Sequence, residues 1–235
     1  MGKVMMGGIV PLLGLPMIYD PVFANNTWTE IIEACQTNRV PGEWKAGDQK
    51  PMTIDNTEYL IDIIGKNHDD YADGSGKAPL TFQMHDCYSS PFTMNDDNTN
   101  KTGWSSCYMR LDRMPFVLAR MPDAVQGAVR EVTKLTTAGN KDSAISTTAD
   151  KLFLLSEAEI LGSDLYSFSG EGAQYEYYKS GNKRIKVGDE KTQSWWTRSP
   201  VSNETTTFCE VGTTGNFSNE TAGDSSTYIS VAFCF

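Results

Sequence analysis

The chain has 235 residues, of which 39% are hydrophobic, and its formal net charge at pH 7 is -10. This length and hydrophobic content are enough for one buried core, and they predict a single main domain. The negative charge disfavours nucleic-acid binding, because a phosphate backbone requires a basic surface, and it disfavours anionic membranes for the same reason. The five cysteines form neither a CxxC pair nor a Cys/His cluster, so their spacing indicates no structural zinc site.

An apolar but interrupted segment opens the chain. Lys3, the apolar residues after it and Ala24 resemble a weak secretory signal, but glycines and prolines break the run, which is too short to span a bilayer. We therefore expect residues 1–26 to form an extended arm that docks on its own domain or on a neighbouring subunit, without membrane insertion. A retained or cleaved signal is the alternative.

Helix and strand patterns are mixed along residues 27–235, which we expect to form one α+β domain. Thr27 followed by Glu30 is a capping-box pattern and predicts a short helix. Strands are expected over 42–54, 58–65 and 78–86, and the second should be central because its apolar residues are too dense for simple alternation. A polar loop rich in turn formers follows.

Helical patterns occupy the middle of the chain. One is expected around 104–111, and another over 122–135, where Pro122 suits the first turn and Val125 and Val132 share an apolar face. No repeat of fixed period is evident.

The last third of the chain returns to strands. A strand over 152–155 is expected to lead into a short helix that begins at Ser156, with Glu159 completing a capping box. Glu157 and Glu159 lie close together in sequence, as a glycosidase carboxylate pair could, but sequence neighbours do not fix the spatial separation which that chemistry needs. We expect both carboxylates to lie on a solvated face.

The histidines and aspartates provide few signs of a reactive centre. His68 and His85 lie in no hydrolase motif, and we expect them to be polar core or loop residues. Asp69, Asp70 and Asp73 could gather around a hard cation such as calcium, but the EF-hand spacing is absent. We expect a turn there, and neither a metal nor a cofactor.

Several segments, in the same order along the chain, carry a resemblance: "GEWKAGD", "IIGKNHDDYADGSGKAPLTFQMHD", "TTADKLFLLSEAEILG", "EGAQYEYY", "WWTRSP" and "ISVAFCF". Together they resemble a domain family of gut bacteria and their phages, whose motif order is similar to that of the C-type lectin-like fold. That fold group includes a formylglycine-generating-enzyme branch and phage receptor-binding proteins. The resemblance covers residues 28–235 and implies short helices packed around small twisted antiparallel sheets.

The closing stretch is similar to the variable proteins of diversity-generating retroelements. Ser, Thr and Asn occupy 17 of the 35 positions over 196–230. In such proteins a fixed apolar scaffold presents replaceable polar residues. The expected scaffold consists of Trp195, Trp196, Phe208, Val211, Ile229, Val231 and Phe233.

The expected ligand-binding residues are short polar side chains and one tyrosine, which provide adaptable donors and acceptors. They are Thr197, Ser202, Asn203, Thr205, Thr206, Thr207, Thr213, Thr214, Asn216, Ser218, Asn219, Thr221, Ser225, Ser226, Thr227 and Tyr228. An ordinary set of Thr- and Ser-rich edge strands and loops is the competing interpretation.

These observations predict a non-catalytic receptor-binding module of a phage or prophage, which recognises a host cell-surface protein or glycan. The resemblance implies a location on a virion, as a tail or head appendage, or on a bacterial surface. Because each contact of such a surface is weak, we also expect a homo-oligomer assembled through the N-terminal arm. A structural decoration module is the first alternative.

A formylglycine-generating-like oxidase is the second alternative. Those enzymes use two closely placed redox cysteines, whereas Cys209 and Cys234 are far apart in sequence and lie in apolar, strand-like segments. The sequence leaves open whether these two cysteines are free thiols or form a disulfide.

Overall fold

The structure is a computed structural model, which describes residues 19–235. Most of the predicted arm, residues 1–18, lies outside the described residues. The described chain combines short helices with small antiparallel sheets, which confirms the predicted α+β class. None of its helices is both long enough and apolar enough to cross a membrane.

The helices of the described chain are short. The α-helices are α1 (Trp28–Gln36), α2 (Met114–Leu118), α3 (Asp123–Ala128), α4 (Glu157–Leu161) and α5 (Glu176–Lys179). Two 3-10 helices, Phe23–Asn25 and Gly103–Ser106, and a π-helix, Met109–Arg113, accompany them.

Both predicted capping boxes are confirmed. At the start of α1 the Thr27 hydroxyl accepts a hydrogen bond from the Glu30 amide at 3.2 Å, and the Glu30 carboxylate accepts one from the Thr27 amide at 2.6 Å. Ser156 and Glu159 repeat this arrangement at the start of α4. Each pair satisfies backbone N–H groups that a helix N-terminus would leave without partners.

Twelve strands form four antiparallel sheets in the described residues. The strands are β1 (Gln49–Ile54), β2 (Thr57–Lys66), β3 (Leu80–Met84), β4 (Val132–Gly139), β5 (Asp142–Asp150), β6 (Leu152–Phe153), β7 (Lys186–Gly188), β8 (Lys191–Gln193), β9 (Trp195–Pro200), β10 (Thr207–Val211), β11 (Phe217–Thr221) and β12 (Ala232–Cys234).

The largest sheet has the strand order β1-β2-β3-β12-β6. The prediction that residues 58–65 form an interior strand is confirmed, since β2 is paired on both sides. Pro51, which cannot donate a ladder hydrogen bond, lies on the edge strand β1, where such a residue is tolerated. The strand nearest the C-terminus, β12, is inserted between β3 and β6.

An aromatic cluster fills one face of this sheet. Phe82 of β3 stacks on Phe233 of β12 with ring centroids 5.4 Å apart, and Phe235 lies 5.2 Å from Phe82. Trp28 of α1 packs edge-on against Phe82 at 5.8 Å. The first helix and the final strand therefore share one hydrophobic core.

The last residues of the predicted arm belong to the same core. Tyr19 and Phe23 are buried and lie 6.2 and 5.3 Å from the ring of Trp44. The Trp44 indole donates a hydrogen bond to the carbonyl of Asp20 at 2.9 Å. Residues 19–26 thus pack with the domain that follows them.

The prediction of one helix over 122–135 is wrong at its C-terminal end. The helix α3 ends at Ala128, and Val132 begins strand β4, which pairs with β5 as a hairpin. Asn140 and Lys141 at its turn both have positive φ, of 53° and 65°, as a two-residue hairpin turn requires. The β-branched residues of β4 favour a strand, and pairing with β5 outweighs the helical apolar spacing.

The expectation that Glu157 and Glu159 lie on a solvated face is also wrong. Both side chains are buried, with relative exposures of 0% and 2%. The Glu157 carboxylate accepts hydrogen bonds from the amides of Tyr166 and Ser167 at 3.0 and 2.8 Å. Buried carboxylates persist where such donors replace water.

Candidate functional site

The polar closing stretch forms a separate three-stranded sheet with the order β11-β10-β9. Thr207 of β10 pairs with Thr221 at one end of β11, and Val211 pairs with Phe217 at the other end. The strand β11 is an edge strand, so its outer side has no strand neighbour among the described residues.

All seven predicted scaffold residues are buried, which confirms that part of the prediction. Their relative exposures are 0% for Trp195, Trp196, Phe208, Val211, Ile229, Val231 and Phe233. The two indole N–H groups donate to the carbonyls of Arg184 and Phe92, so neither tryptophan is buried with an unpaired donor.

Thirteen of the sixteen predicted ligand-binding residues are exposed or half-buried, although the Thr207 hydroxyl itself is buried. Eight are exposed: Asn203, Thr205, Thr213, Thr214, Asn216, Asn219, Ser225 and Ser226. Five are half-buried: Ser202, Thr206, Thr207, Ser218 and Thr221. We call these thirteen residues the tail surface.

Thr197, Thr227 and Tyr228 are buried and do not belong to the tail surface. The Thr197 hydroxyl donates to the Cys209 carbonyl on the neighbouring strand at 2.9 Å. Thr227 donates its hydroxyl to the Asp224 carboxylate at 3.0 Å. Placing these residues on a presented face was wrong, because their side chains bond within the sheet or pack beneath it.

One end of the tail surface is the turn between β10 and β11. The Gly212 amide donates to the Asn216 carbonyl at 2.8 Å, which closes the turn, and Gly215 has a φ of +80°. Thr213, Thr214 and Asn216 are exposed around this closure. A turn held by its backbone tolerates side-chain change better than a packed strand does.

The other end of the tail surface is held by Asn100, which is fully buried. Its side-chain amide donates to the carbonyls of Thr207 and Glu204 at 2.9 and 3.2 Å and lies 3.5 Å from that of Val201. Its backbone amide donates to the Thr205 carbonyl at 2.9 Å. One asparagine therefore fixes the backbone of the loop 201–207.

The polar loop 95–99 lies beside this end, and sequence reasoning did not include it in the site. The Asn98 carboxamide accepts a hydrogen bond from the Gly223 amide at 2.9 Å, and the Asn95 amide donates to the Ala222 carbonyl at 3.0 Å. Its polar composition resembles that of the tail surface, and this similarity could have identified the loop from the sequence. Its position beside residues more than a hundred places later was not visible in the sequence.

Asp224 forms a rigid corner beneath Ser225 and Ser226. One carboxylate oxygen accepts hydrogen bonds from the amides of Ser226 and Thr227 at 2.8 and 2.9 Å. Burial alone would raise the pKa of Asp224, but these hydrogen bonds outweigh it and hold the pKa below its ordinary value. The corner therefore carries a fixed negative charge.

Glu210 lies on β10 behind this corner. Burial raises the pKa of its carboxyl, and the neighbouring carboxylates of Glu220 and Asp224 act in the same direction. The Thr227 hydroxyl oxygen lies 3.3 Å from the Glu210 carboxyl. The carboxyl groups of Glu210, Glu220 and Asp224 thus lie near one another beside the tail surface, with hydroxyl and amide groups around them.

Arg198, in the segment "WWTRSP", anchors the sheet to the rest of the domain. Its guanidinium is fully buried and donates to both oxygens of Glu159, at 2.5 and 2.9 Å. It also donates to the Thr136 hydroxyl at 3.1 Å and to the Leu154 carbonyl at 2.9 Å. Strand β9, which precedes the tail surface and pairs with β10, is therefore fixed to β4 and α4 by charge-assisted hydrogen bonds.

The cysteines are free and buried: Cys35, Cys87, Cys107, Cys209 and Cys234. Cys209 and Cys234 belong to different sheets and form no disulfide. Burial raises the pKa of Cys35, Cys87 and Cys107 to about 12 and that of the other two well above the ordinary range. Thiols in such surroundings are poor nucleophiles.

The three aspartates that could have gathered around a cation point to different partners. Asp69 is buried and pairs with Lys134 at 2.7 Å, whereas Asp70 pairs with Lys77 at 2.9 Å. Asp73 pairs with Arg130 at 2.6 Å. In the described part of the chain, no group of three or more His, Cys, Asp or Glu side chains is placed to hold a metal ion.

The sequence family described as Domain of unknown function (DUF6273) matches residues 83–235, about two thirds of the chain. No curated protein and no solved structure matches the chain. The matched region runs from β3 to β12, so it includes the Arg198 anchor and the whole tail surface. The chain belongs to the DUF6273 family.

Proposed function

We propose that this protein is a non-catalytic receptor-binding module with a C-type lectin-like fold, and that its tail surface recognises a host cell-surface protein or glycan. One observation carries the proposal: the Ser, Thr and Asn side chains of residues 202–226 are exposed or half-buried, while the aromatic and aliphatic residues of the closing stretch are buried. A binding surface whose residues vary must leave the buried core unchanged. The separation of exposed polar residues from buried apolar residues allows this.

The topology supports the fold assignment within this proposal. A terminal strand returns to the interior of the larger sheet after a separate three-stranded sheet has formed, and short helices pack around both. This arrangement agrees with the short helices and small twisted sheets expected for a C-type lectin-like domain.

The chemistry of the tail surface supports recognition of varied partners. Hydroxyl and amide side chains donate and accept hydrogen bonds and lose little conformational entropy on binding. The backbone beneath them is held by Asn100, Asp224 and the closed turn at Gly212, so the surface is largely formed before a ligand arrives. Preorganisation of this kind lowers the entropic cost of binding.

The buried cysteines support a role without oxidase chemistry. A formylglycine-generating-like reaction needs an accessible thiolate, whereas burial raises the pKa of both Cys209 and Cys234 and the two thiols lie in different sheets. We place the module on a virion or a bacterial surface, as a homo-oligomer in which linked copies raise the effective concentration of weak sites.

Deep sequencing of the gene in its source population tests the proposal. Substitutions should concentrate at adenines in codons of the tail surface. The matched control is the exposed part of β5, where Ser143 and Thr147 are equally polar and exposed but are outside the expected variable stretch. Equal substitution of both regions, or invariance of the tail surface, would contradict a diversified receptor-binding face and favour a fixed structural module.

A further inference from the structure

A second surface feature lies outside the tail surface. A cleft of about 530 Å³ opens between the loop after β2, strand β4 and the loop 170–173. Its volume falls within the range of roughly 300–1,000 Å³ that is usual for small-molecule sites. None of its lining residues belongs to the tail surface.

The floor of the cleft is a closed ionic network. Lys134 donates to Asp69 at 2.7 Å and to the Tyr175 hydroxyl at 3.1 Å, and it contacts Glu159 at 2.7 Å. The ammonium group therefore has three polar partners within the network. Arg198 behind Glu159 supplies a second positive charge, so two carboxylates face two cations and the floor is electrically balanced.

This balance selects against charged ligands. A ligand with a formal charge would have to give up water without gaining an unpaired counter-charge from the floor, which is costly. Asp69, Lys134 and Glu159 have side-chain exposures of 2–3%, so they are unable to rotate outward to meet such a ligand without breaking the network.

The rim carries groups with unused hydrogen-bonding capacity. The Asn67 carboxamide, the His68 imidazole and the Thr133 hydroxyl line the cleft, and none of them has a side-chain hydrogen bond to another described residue. Burial lowers the pKa of His68, so its ring is neutral at pH 7, with one nitrogen to donate and one to accept. The ring is held by stacking on Tyr175 at a centroid distance of 4.0 Å.

Two glycines leave one wall of the cleft as bare backbone, and the other lining residues are Leu135, Ala173 and the pair Asp70 and Lys77, whose charges meet at 2.9 Å. Gly172 has a φ of +120°, and a Cβ there would lie 2.8 Å from the Glu159 carboxylate. Gly170 has a φ of +104° and also lines the cleft. A side chain at position 172 would disturb the ionic floor, so this wall remains open to a ligand.

We propose that this cleft is a binding site for a neutral, hydroxyl-rich small molecule of the size of a mono- or disaccharide. Hydroxyl groups match the rim, because each can both donate and accept, and a neutral ligand suits the balanced floor. The site is independent of the proposed receptor recognition by the tail surface, so either can fail alone.

Saturation-transfer NMR on the full chain tests the site, with glucose, galactose, mannose, N-acetylglucosamine, lactose and maltose as probes at millimolar concentration. Glucuronate and glucosamine are the charged counterparts. We expect at least one neutral sugar to bind and both charged sugars to bind more weakly.

Three substitutions locate the binding. Thr133→Val removes a hydroxyl at constant shape, His68→Phe keeps the stacked ring without its nitrogens, and Asn67→Gly retains the positive φ of 49°. Each should weaken binding roughly 3- to 10-fold, which corresponds to the free energy that one hydrogen bond usually contributes. Thr192→Val on the exposed strand β8 should leave it unchanged.

Any one of three results would overturn the proposal: no neutral sugar binds, a charged sugar binds more strongly than the neutral ones, or none of the three cleft substitutions weakens binding. If His68→Phe does not fold, the other two variants still decide the outcome, since both sites lie at the rim.

Discussion

Arg198 and Glu159 meet through two hydrogen bonds, of 2.5 and 2.9 Å, in a region from which solvent is excluded. This pair joins the strand before the tail surface to the helix α4. A buried charge that loses its partner is strongly destabilising, whereas an exposed pair contributes little.

We expect Arg198→Met to lower the free energy of unfolding by about 3–5 kcal/mol, because the buried Glu159 carboxylate and the Leu154 carbonyl would lose the guanidinium that bonds them. Urea unfolding followed by circular dichroism measures this change. The control is Arg120→Met, which removes a half-exposed arginine 3.4 Å from Asp55 and should cost less than about 1 kcal/mol. Equal decreases in the free energy of unfolding of the two variants would mean that the buried Arg198–Glu159 pair does not anchor the strand.

Acid should destabilise the protein through Asp69. Burial alone would raise the pKa of this carboxyl, but Lys134 and the hydrogen bonds from Lys134 and Thr81 outweigh burial and lower the pKa from 3.8 to about 2. A carboxyl with a lowered pKa in the folded state stabilises that state above its unfolded pKa, and this stability is lost as the pH falls through the folded pKa.

Stability measured by urea unfolding should therefore decrease between about pH 4 and pH 2. In Asp69→Asn this decrease should be smaller, with lower stability at neutral pH. Asp97→Asn, which changes an exposed loop residue, is the control and should leave the pH profile as it is. An unchanged slope in Asp69→Asn would show that Asp69 is not responsible.

Asn100→Ala should loosen the loop 201–207 more than it changes the rest of the domain. The substitution leaves the partly buried carbonyls of Glu204 and Thr207 without their donor, at a cost of about 1–3 kcal/mol. Amide hydrogen exchange should increase over 201–207. The control is Asn98→Ala, which removes one exposed acceptor and should lower the free energy of unfolding by less than about 1 kcal/mol. Similar amide hydrogen exchange over 201–207 in both variants would contradict the role of Asn100.

The tail surface should tolerate substitution where the sheet beneath it does not. Alanine at Asn203, Thr213 or Asn219 should change stability by less than about 0.5 kcal/mol, as is usual for exposed positions. Thr197→Ala should cost about 1–2 kcal/mol, because it removes a buried hydrogen bond to Cys209. Thermal unfolding of single variants compares them, and a large loss at the exposed positions would count against a replaceable surface.

The cysteines should be inert in the folded protein. Because burial raises the pKa of Cys87 and Cys107 to about 12, little thiolate forms at pH 8. Iodoacetamide labelling followed by mass spectrometry should find five unmodified thiols without denaturant and five modified thiols in urea. Rapid labelling of Cys209 or Cys234 in the native state would reopen the oxidase alternative.

Local sequence determined the features that depend on near neighbours. The capping boxes at Thr27 and Ser156 were predictable because both partners lie within one helical turn. The strand over 58–65 and the burial of Trp195 and Trp196 were predictable because a dense apolar run requires a core.

The tertiary structure decided the features that depend on distant partners. Glu159 is buried because Lys134 and Arg198 neutralise it, and neither partner is near it in sequence. Asn100 holds a loop a hundred residues later, and pairing with β5 turned the expected end of a helix into β4. The free energy of a buried polar group depends on which groups replace its water, and only the folded chain brings those groups together.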